Sequence, residues 1–236
     1  MNILYDASPL LMRSAGVKNY HHTLLKNLTA NIHPHHLKLF PDLASLTENR
    51  NDVSNYPPWD TRLRLGLIAA SNYLKFPYAS YMAKGADLFH VTPLPWQIPR
   101  KLCLTSIIHD PTPVLLPECH TESNIRYFIH FLEHVVPRLQ AILVPSQAVK
   151  IDLVRHLGIP EDRISVVYHG VEDDFFEAQS STVYRARQTY GLPNTYILTV
   201  GTIEPRKNLL TLVKAYSMLR PGLRKEYPLV IAGMSG

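Results

Sequence analysis

The sequence predicts a doubly wound α/β protein with one complete domain and the beginning of a second, on three observations. Short apolar runs alternate with stretches of helical periodicity over most of the chain, the pattern of parallel βαβ units. A late strand–turn–helix passage, residues 196–219, repeats that unit after a change of domain. The 236 residues are 46% hydrophobic and 18% charged, the balance of an ordinary folded chain able to bury a core.

Each element follows from its own pattern. Residues 2–6 are the opening strand. The turn Ser14-Ala15-Gly16-Val17 leads into a helix over 18–30, with Tyr20, Leu24, Leu25 and Leu28 on one face. A strand at 37–40 follows, then residues 41–60, whose weak periodicity and Pro57-Pro58 pair predict a surface loop or insertion. A helix is expected over 62–74, strands over 87–91 and 102–109, and a long helix over 122–139. The strand 141–144 ends before Ser146, a good N-cap for the helix 147–157. The last strand of the first domain is 164–168, and the change of domain is expected between 171 and 190. Beyond it come a strand at 196–200, a helix at 208–219 and a strand at 229–232. The expected domains are therefore 1–175 and 190–236.

Composition narrows the function. No run of 18 apolar residues occurs, and Met1-Asn2 passes directly into Ile3-Leu4-Tyr5 without a charged leader, so a cytoplasmic chain without a membrane span is expected. Cys103 and Cys119 are the two cysteines, too few for a disulfide framework or a zinc site. A net charge of +5 and a pI near 9.1 leave open peripheral contact with an anionic membrane, a polyanionic ligand, or plain solubilising charge. Nucleic acid is disfavoured because the cations are scattered and form no stripe interleaved with aromatics. His33-Pro34-His35-His36 reads as a surface turn, and Glu172, Asp173 and Asp174 as solvated turn residues, so no metal is expected.

In an open α/β sheet, ligands sit outside the carboxyl ends of the strands. Gly16 stands at the threshold of the first helix, either letting backbone approach a phosphate or sugar or simply starting the helix. His109 and Asp110 end an apolar strand before a proline-rich bend; a polar pair delivered this way is costly to bury without partners, so it is expected to face a cleft. The most informative passage is Val200-Gly201-Thr202-Ile203-Glu204-Pro205-Arg206-Lys207-Asn208-Leu209. There a strand end, two adjacent cations and a helix N-terminus converge, an arrangement suited to a diphosphate. Arg206 can grip two oxygens and Lys207 adds a point charge.

Gly-Thr-x-x-Pro-Arg-Lys-Asn followed by a Leu-rich helix resembles the donor-phosphate motif of retaining nucleotide-sugar glycosyltransferases of family 4. The resemblance implies the GT-B fold: a doubly wound Rossmann-like N-terminal domain on the acceptor side, plus a second Rossmann-like domain that binds the donor and is incomplete here. It implies donor contacts from Gly16, Gly201, Arg206, Lys207 and Asn208, with Arg206, Lys207 and His109 serving catalysis and His109 and Asp110 on the acceptor or sugar side. The family has Gly-Arg before the tyrosine of its first loop, where this chain has Lys18-Asn19. The Glu-x7-Glu element of the family would fall beyond Gly236.

The function implied is transfer of a hexosyl group, mannosyl or glucosyl, from a nucleoside-diphosphate sugar to a hydroxyl of a glycan or lipid-linked acceptor, with retention and without a cofactor or metal. The incomplete second domain makes the chain as given expected to be inactive alone. The alternative is a non-catalytic remnant that binds a lipid-linked glycan or a membrane surface.

Overall fold

The computed structural model describes residues 1–12, 16–42, 54, 56–171, 176 and 179–233. Ser14 and Ala15 of the first loop, most of the predicted 41–60 loop, and Glu172, Asp173 and Asp174 lie outside the described residues. The chain divides into two compact units, Met1–His169 and Gly170–Gly236.

In the first unit, β1 (Asn2–Asp6), β2 (His36–Phe40), β3 (Leu88–Val91), β4 (Cys103–Ile107), β5 (Ala141–Val144) and β6 (Ile164–Val166) form one sheet in the order β2-β1-β3-β4-β5-β6. Every pairing is parallel, so each strand must be reached by a crossover. Helix α1 (Gly16–Asn31) joins β1 to β2; α2 (Pro58–Leu74) and α3 (Tyr78–Met82) lead to β3; α4 (Thr112–Leu115) and α5 (Glu122–His134) lead to β5; α6 (Gln147–Leu157) leads to β6. The chain steps outward from β1 to β2 and then returns past β1 to β3. The winding therefore reverses between β1 and β3, and a crevice at their carboxyl ends is the expected ligand position.

Alternation along the strands divides the core between two faces. Leu4, Phe89 and Leu104 are neighbours in register, fully buried, and belong to the larger cluster, against which Phe128 and Phe131 of α5 pack. Tyr5, one residue on, joins Leu10 and Leu25 in a smaller cluster on the opposite face. Full burial of each such side chain contributes about 1.5–3 kcal/mol, which is why short strands suffice.

The differences from expectation have local causes. The predicted 122–139 helix ends at His134 and continues as a 3-10 turn, Val136–Arg138, because Pro137 cannot donate to the helix ladder. The strands expected over 102–109 and 164–168 are shorter, leaving His109 and Tyr168 in loops past the strand ends. The buried stripe of α1 is Lys18, His21, His22 and Leu25 rather than the face centred on Tyr20 and Leu24. Those positions fall at i, i+3, i+4 and i+7, so polar residues occupy the slots that core leucines take in an ordinary amphipathic helix.

The second unit holds β7 (Ile197–Val200) and β8 (Leu229–Ala232), paired in parallel. Around them are α7 (Ser180–Tyr190), α8 (Leu209–Ser217) and α9 (Pro221–Glu226). Helix α7 occupies residues over which the sequence predicts only the change of domain; it is capped by Gly191, whose φ of 60° suits glycine. None of its described residues is buried, and Val200 and Leu210 are 74% and 67% exposed.

Candidate functional site

At the switch point of the first unit, Asp6 ends β1 with a fully buried side chain. The amides of Ser8 and Thr92 donate to its two oxygens at 3.0 and 3.1 Å, and the Thr92 hydroxyl donates as well. Burial raises the Asp6 pKa, and these donors work against that rise. Because Thr92 follows β3, the carboxylate ties together the two strand ends between which the winding reverses.

Six rings gather on the same edge. Tyr5 Oη and His21 Nδ1 share a 2.6 Å hydrogen bond, and Tyr5 stacks on His90 of β3 at 4.9 Å between ring centroids. His90 Nδ1 lies 3.0 Å from the Thr105 hydroxyl. His109, past the end of β4, meets Tyr20 edge-on at 4.8 Å and His21 at 5.7 Å. His169 lies 4.5 Å from Tyr20 and 5.5 Å from His109.

Packing histidines on one another under low solvent access keeps them neutral. Burial, then the neighbouring His109, lowers the pKa of His90 to about 4. Burial, then His169, lowers that of His109 to about 4, against a smaller opposite effect of Asp110. His21 is pushed well below its ordinary value by burial and by His109 and His90. The Tyr5 phenol is pushed up, mainly by burial, and stays protonated. Neutral imidazole can donate and accept at once, and the buried Nε2 of half-buried His109 has no partner among the described residues.

The predicted residues of this unit separate into two roles. His109 sits in the ring cluster against Tyr20 and His21, which lie about one helical turn along α1 from Gly16. Among the described residues, a Cβ on Gly16 would meet no atom within 4 Å, so packing against them does not require glycine there. Asp110 accepts from the Thr112 amide at 3.0 Å and from the Thr112 hydroxyl, and His120 Nε2 lies 2.9 Å from that hydroxyl. One Asp110 oxygen is thereby occupied in turning the chain into α4.

In the second unit, β7 is followed by Gly201, whose φ of 152° is accessible mainly to glycine. Its amide donates to the Ala232 carbonyl at 3.0 Å. Beside it, a Cβ on Gly233 would come within 1.8 Å of the Gly201 carbonyl oxygen, so the two strand ends approach as only glycine permits. Pro205–Lys207 form a 3-10 turn, and Asn208 takes a left-handed conformation with φ of 50°, which asparagine tolerates. Lys207, Gly201, Thr202 and Leu209 line a concavity of about 60 Å³. Asn208 makes no side-chain cap bond to the first turn of α8; its carbonyl accepts from the Thr211 and Leu212 amides at 3.1 and 3.4 Å, and the Leu209 and Leu210 amides precede the helical ladder. Arg206 instead donates through Nη2 to Glu204 Oε1 at 2.6 Å. Of the predicted donor residues, the structure thus brings Gly201, Lys207 and the start of α8 together, and turns Arg206 toward a carboxylate.

Sequence reasoning missed Tyr5, Asp6, His21, His90 and His169 as members of a site. A signal was present in Phe89-His90-Val91 and Leu4-Tyr5-Asp6, where polar residues interrupt strands buried on both faces. Among the described residues, no helix is long and apolar enough to cross a membrane.

Residues 14–175 match the profile of Glycosyltransferase Family 4. O-antigen chain mannosyltransferase B of Escherichia coli is 27% identical over 254 aligned positions, covering 100% of this chain and 65% of that protein. A serotype-specific mannosyltransferase WbdA of Escherichia coli is 32% identical over 142 positions, covering 59% of this chain and 17% of that protein. The chain thus spans under two thirds of the length of these curated relatives. Anabaena HepE, solved in complex with UDP and glucose, superposes with a TM-score of 0.62 at 18% identity, covering 98% of this chain and 61% of that one. A second structure of HepE, with UDP-glucose, gives 0.57 at 16%. At that identity the likeness shows the fold, which is of GT-B type, with an incomplete second Rossmann-like domain.

Proposed function

Since the chain belongs to Glycosyltransferase Family 4, we propose that it serves transfer of a hexosyl group from a nucleoside-diphosphate sugar to a hydroxyl of a glycan or glycolipid, with retention at the anomeric carbon. The mannosyltransferase relatives support a mannosyl group, and the UDP-glucose complex of the structural neighbour supports a nucleotide-sugar donor. The single observation that carries the reading is the concavity at the end of β7, where Gly201, Lys207 and the first turn of α8 meet. A diphosphate seated there gains uncapped amides, the positive end of a helix dipole and an ammonium. Arg206 and Asn208 flank Lys207 of that seat in sequence, and Gly16, at the first unit's helix start, is a further proposed donor contact.

The chemistry breaks the bond between the anomeric carbon and the diphosphate oxygen and forms one to the acceptor oxygen. Negative charge grows on the departing diphosphate, where Lys207, Arg206 and the α8 dipole stabilise it without calling for a metal. The acceptor proton passes to the leaving phosphate on the same face of the sugar, which accounts for retention. His109, neutral with an unpartnered Nε2, orients a hydroxyl of sugar or acceptor, and Asp110 holds the loop that presents it.

The test is a calorimetric titration with nucleoside diphosphates, run beside a transfer assay with nucleoside-diphosphate hexoses and a glycan acceptor. Diphosphate binding that Lys207→Ala removes supports the site; binding indifferent to that change overturns it. Anomeric configuration of any product, read by NMR, decides retention. The exposed apolar surface of the second unit favours a second reading, a chain that binds ligand without transferring sugar, and a transfer assay on a protein with a complete second domain separates the two.

A further inference from the structure

Sharing no residue with the ring cluster of the first unit, the outer face of α5 forms one wall of a groove of about 430 Å³. Its lining residues on that helix, Glu122, Ile125, Arg126, Ile129, His130 and Glu133, recur at helical spacing along one stripe, while Phe128 and Phe131 turn to the core. The opposite wall is Trp96, from the segment between β3 and β4. That segment is pinned from behind by the buried Asn72, which donates to the Leu94 carbonyl at 2.9 Å and accepts from the Trp96 amide at 2.8 Å. Trp96 stacks on His130 at 4.3 Å with 28° between planes, and Tyr127 and Tyr73 lie 5.1 and 5.4 Å from it. The indole is thus held in one orientation from three sides, yet its buried Nε1 has no hydrogen-bond partner among the described residues.

The volume lies in the range of small-molecule sites. Rigid aromatic surface beside carboxylates and a guanidinium is the complement of a sugar ring, whose C–H faces lie on aromatics while its hydroxyls donate to carboxylates and accept from Arg or indole N–H. Burial lowers the pKa of His130, so it presents a ring more than a charge. Glu122 and Glu133 at the two ends oppose an anionic lipid headgroup. In sequence α5 follows the His109-Asp110 loop, with α4 between them.

We propose that the Trp96–α5 groove is a glycan-binding subsite, which holds sugar residues of the acceptor remote from the hydroxyl that is glycosylated. This rests on the glycan-acceptor reading above but needs neither nucleotide nor transfer.

Trp59 and Trp96 are the two tryptophans, and Trp59 is exposed, so Trp59→Phe leaves Trp96 as the reporter. Titrating this variant with manno-oligosaccharides, and with gluco-oligosaccharides beside them, is expected to change Trp96 fluorescence saturably without nucleotide. Adding Glu122→Ala and Glu133→Ala, both at exposed positions, should weaken that binding tenfold or more with circular dichroism unchanged. Lys207→Ala should leave it unaltered. No response to either sugar at millimolar concentration, a response to phosphatidylglycerol vesicles alone, or sugar binding indifferent to the two glutamate changes would overturn the subsite. Sugar binding with failed diphosphate binding would refute the donor site and leave the subsite standing.

Discussion

At the scale of single residues, the partner of Arg206 matters most. A guanidinium paired with Glu204 must exchange a carboxylate for the ligand's oxygens, and an exposed pair of this kind is worth about 0.2–1 kcal/mol. Removing the competitor should therefore help the ligand: Glu204→Gln is expected to tighten nucleoside-diphosphate binding by roughly two- to fivefold. Lys207→Ala loses a charge-assisted contact of about 1.5–3 kcal/mol and should weaken it roughly ten- to hundredfold. Calorimetry on the two variants checks both signs. The histidines give a second prediction. Unfolded histidine protonates near pH 6.5, whereas folded His90 and His109 do so near 4. Between these values the unfolded state binds more protons, so stability falls as pH drops from about 6.5 toward 4 and levels off below. His90, being buried, contributes at most on the order of 3 kcal/mol of that loss. Chemical denaturation across that pH range measures the slope, and NMR titration should find both rings neutral at pH 6.

At the scale of elements, strands and helices were legible wherever one face meets the core with a regular period. β1, β5 and α6 lie where periodicity put them, and the Ser146 hydroxyl accepts from the Val149 amide at 3.3 Å as an N-cap should. Ser146→Ala is expected to cost about 0.5–2 kcal/mol in the unfolding free energy of the first unit, without changing diphosphate binding. The donor turn was legible because it is local: strand end, cations and helix start are contiguous. The ring cluster was not, because Tyr5, Tyr20, His90, His109 and His169 come from five segments that only the strand order brings to one edge. Helix α7 was missed for a different reason, since none of its residues is buried and no apolar stripe marks it. The Glu204 partner of Arg206 was not legible, because pairing with a carboxylate two residues away is a rotamer matter that spacing does not encode.

At the scale of the whole molecule, the two units differ in how much apolar surface they remove from water. The first has a core of twenty buried residues in its larger cluster, drawn from six strands, the helices α2, α3, α5 and α6 and the loops between them, whereas the second has two strands and no buried residue among those described. Val200, Leu210, Leu198 and Val213 in β7 and α8 are each more than two fifths exposed. Local opening free energy follows buried contact, so amides of β7 and β8 should exchange faster than those of β1, β3 and β4. A paired edge with open flanks also invites protease. The diphosphate seat suffers less, because Gly201, Lys207 and the start of α8 are near neighbours in sequence and need little of the unit's core to meet. Binding is then limited to the phosphate contacts, with the affinity of a few charge-assisted bonds less the cost of ordering the turn. The expected dissociation constant for a nucleoside diphosphate is in the millimolar range, about −4 kcal/mol, with little preference among bases and no measurable sugar transfer by the 236-residue chain. Hydrogen exchange, calorimetry with UDP and GDP, and a radiolabelled transfer assay test these together. Micromolar, base-selective binding would show that the first unit, and not the turn after β7, supplies the principal donor contacts.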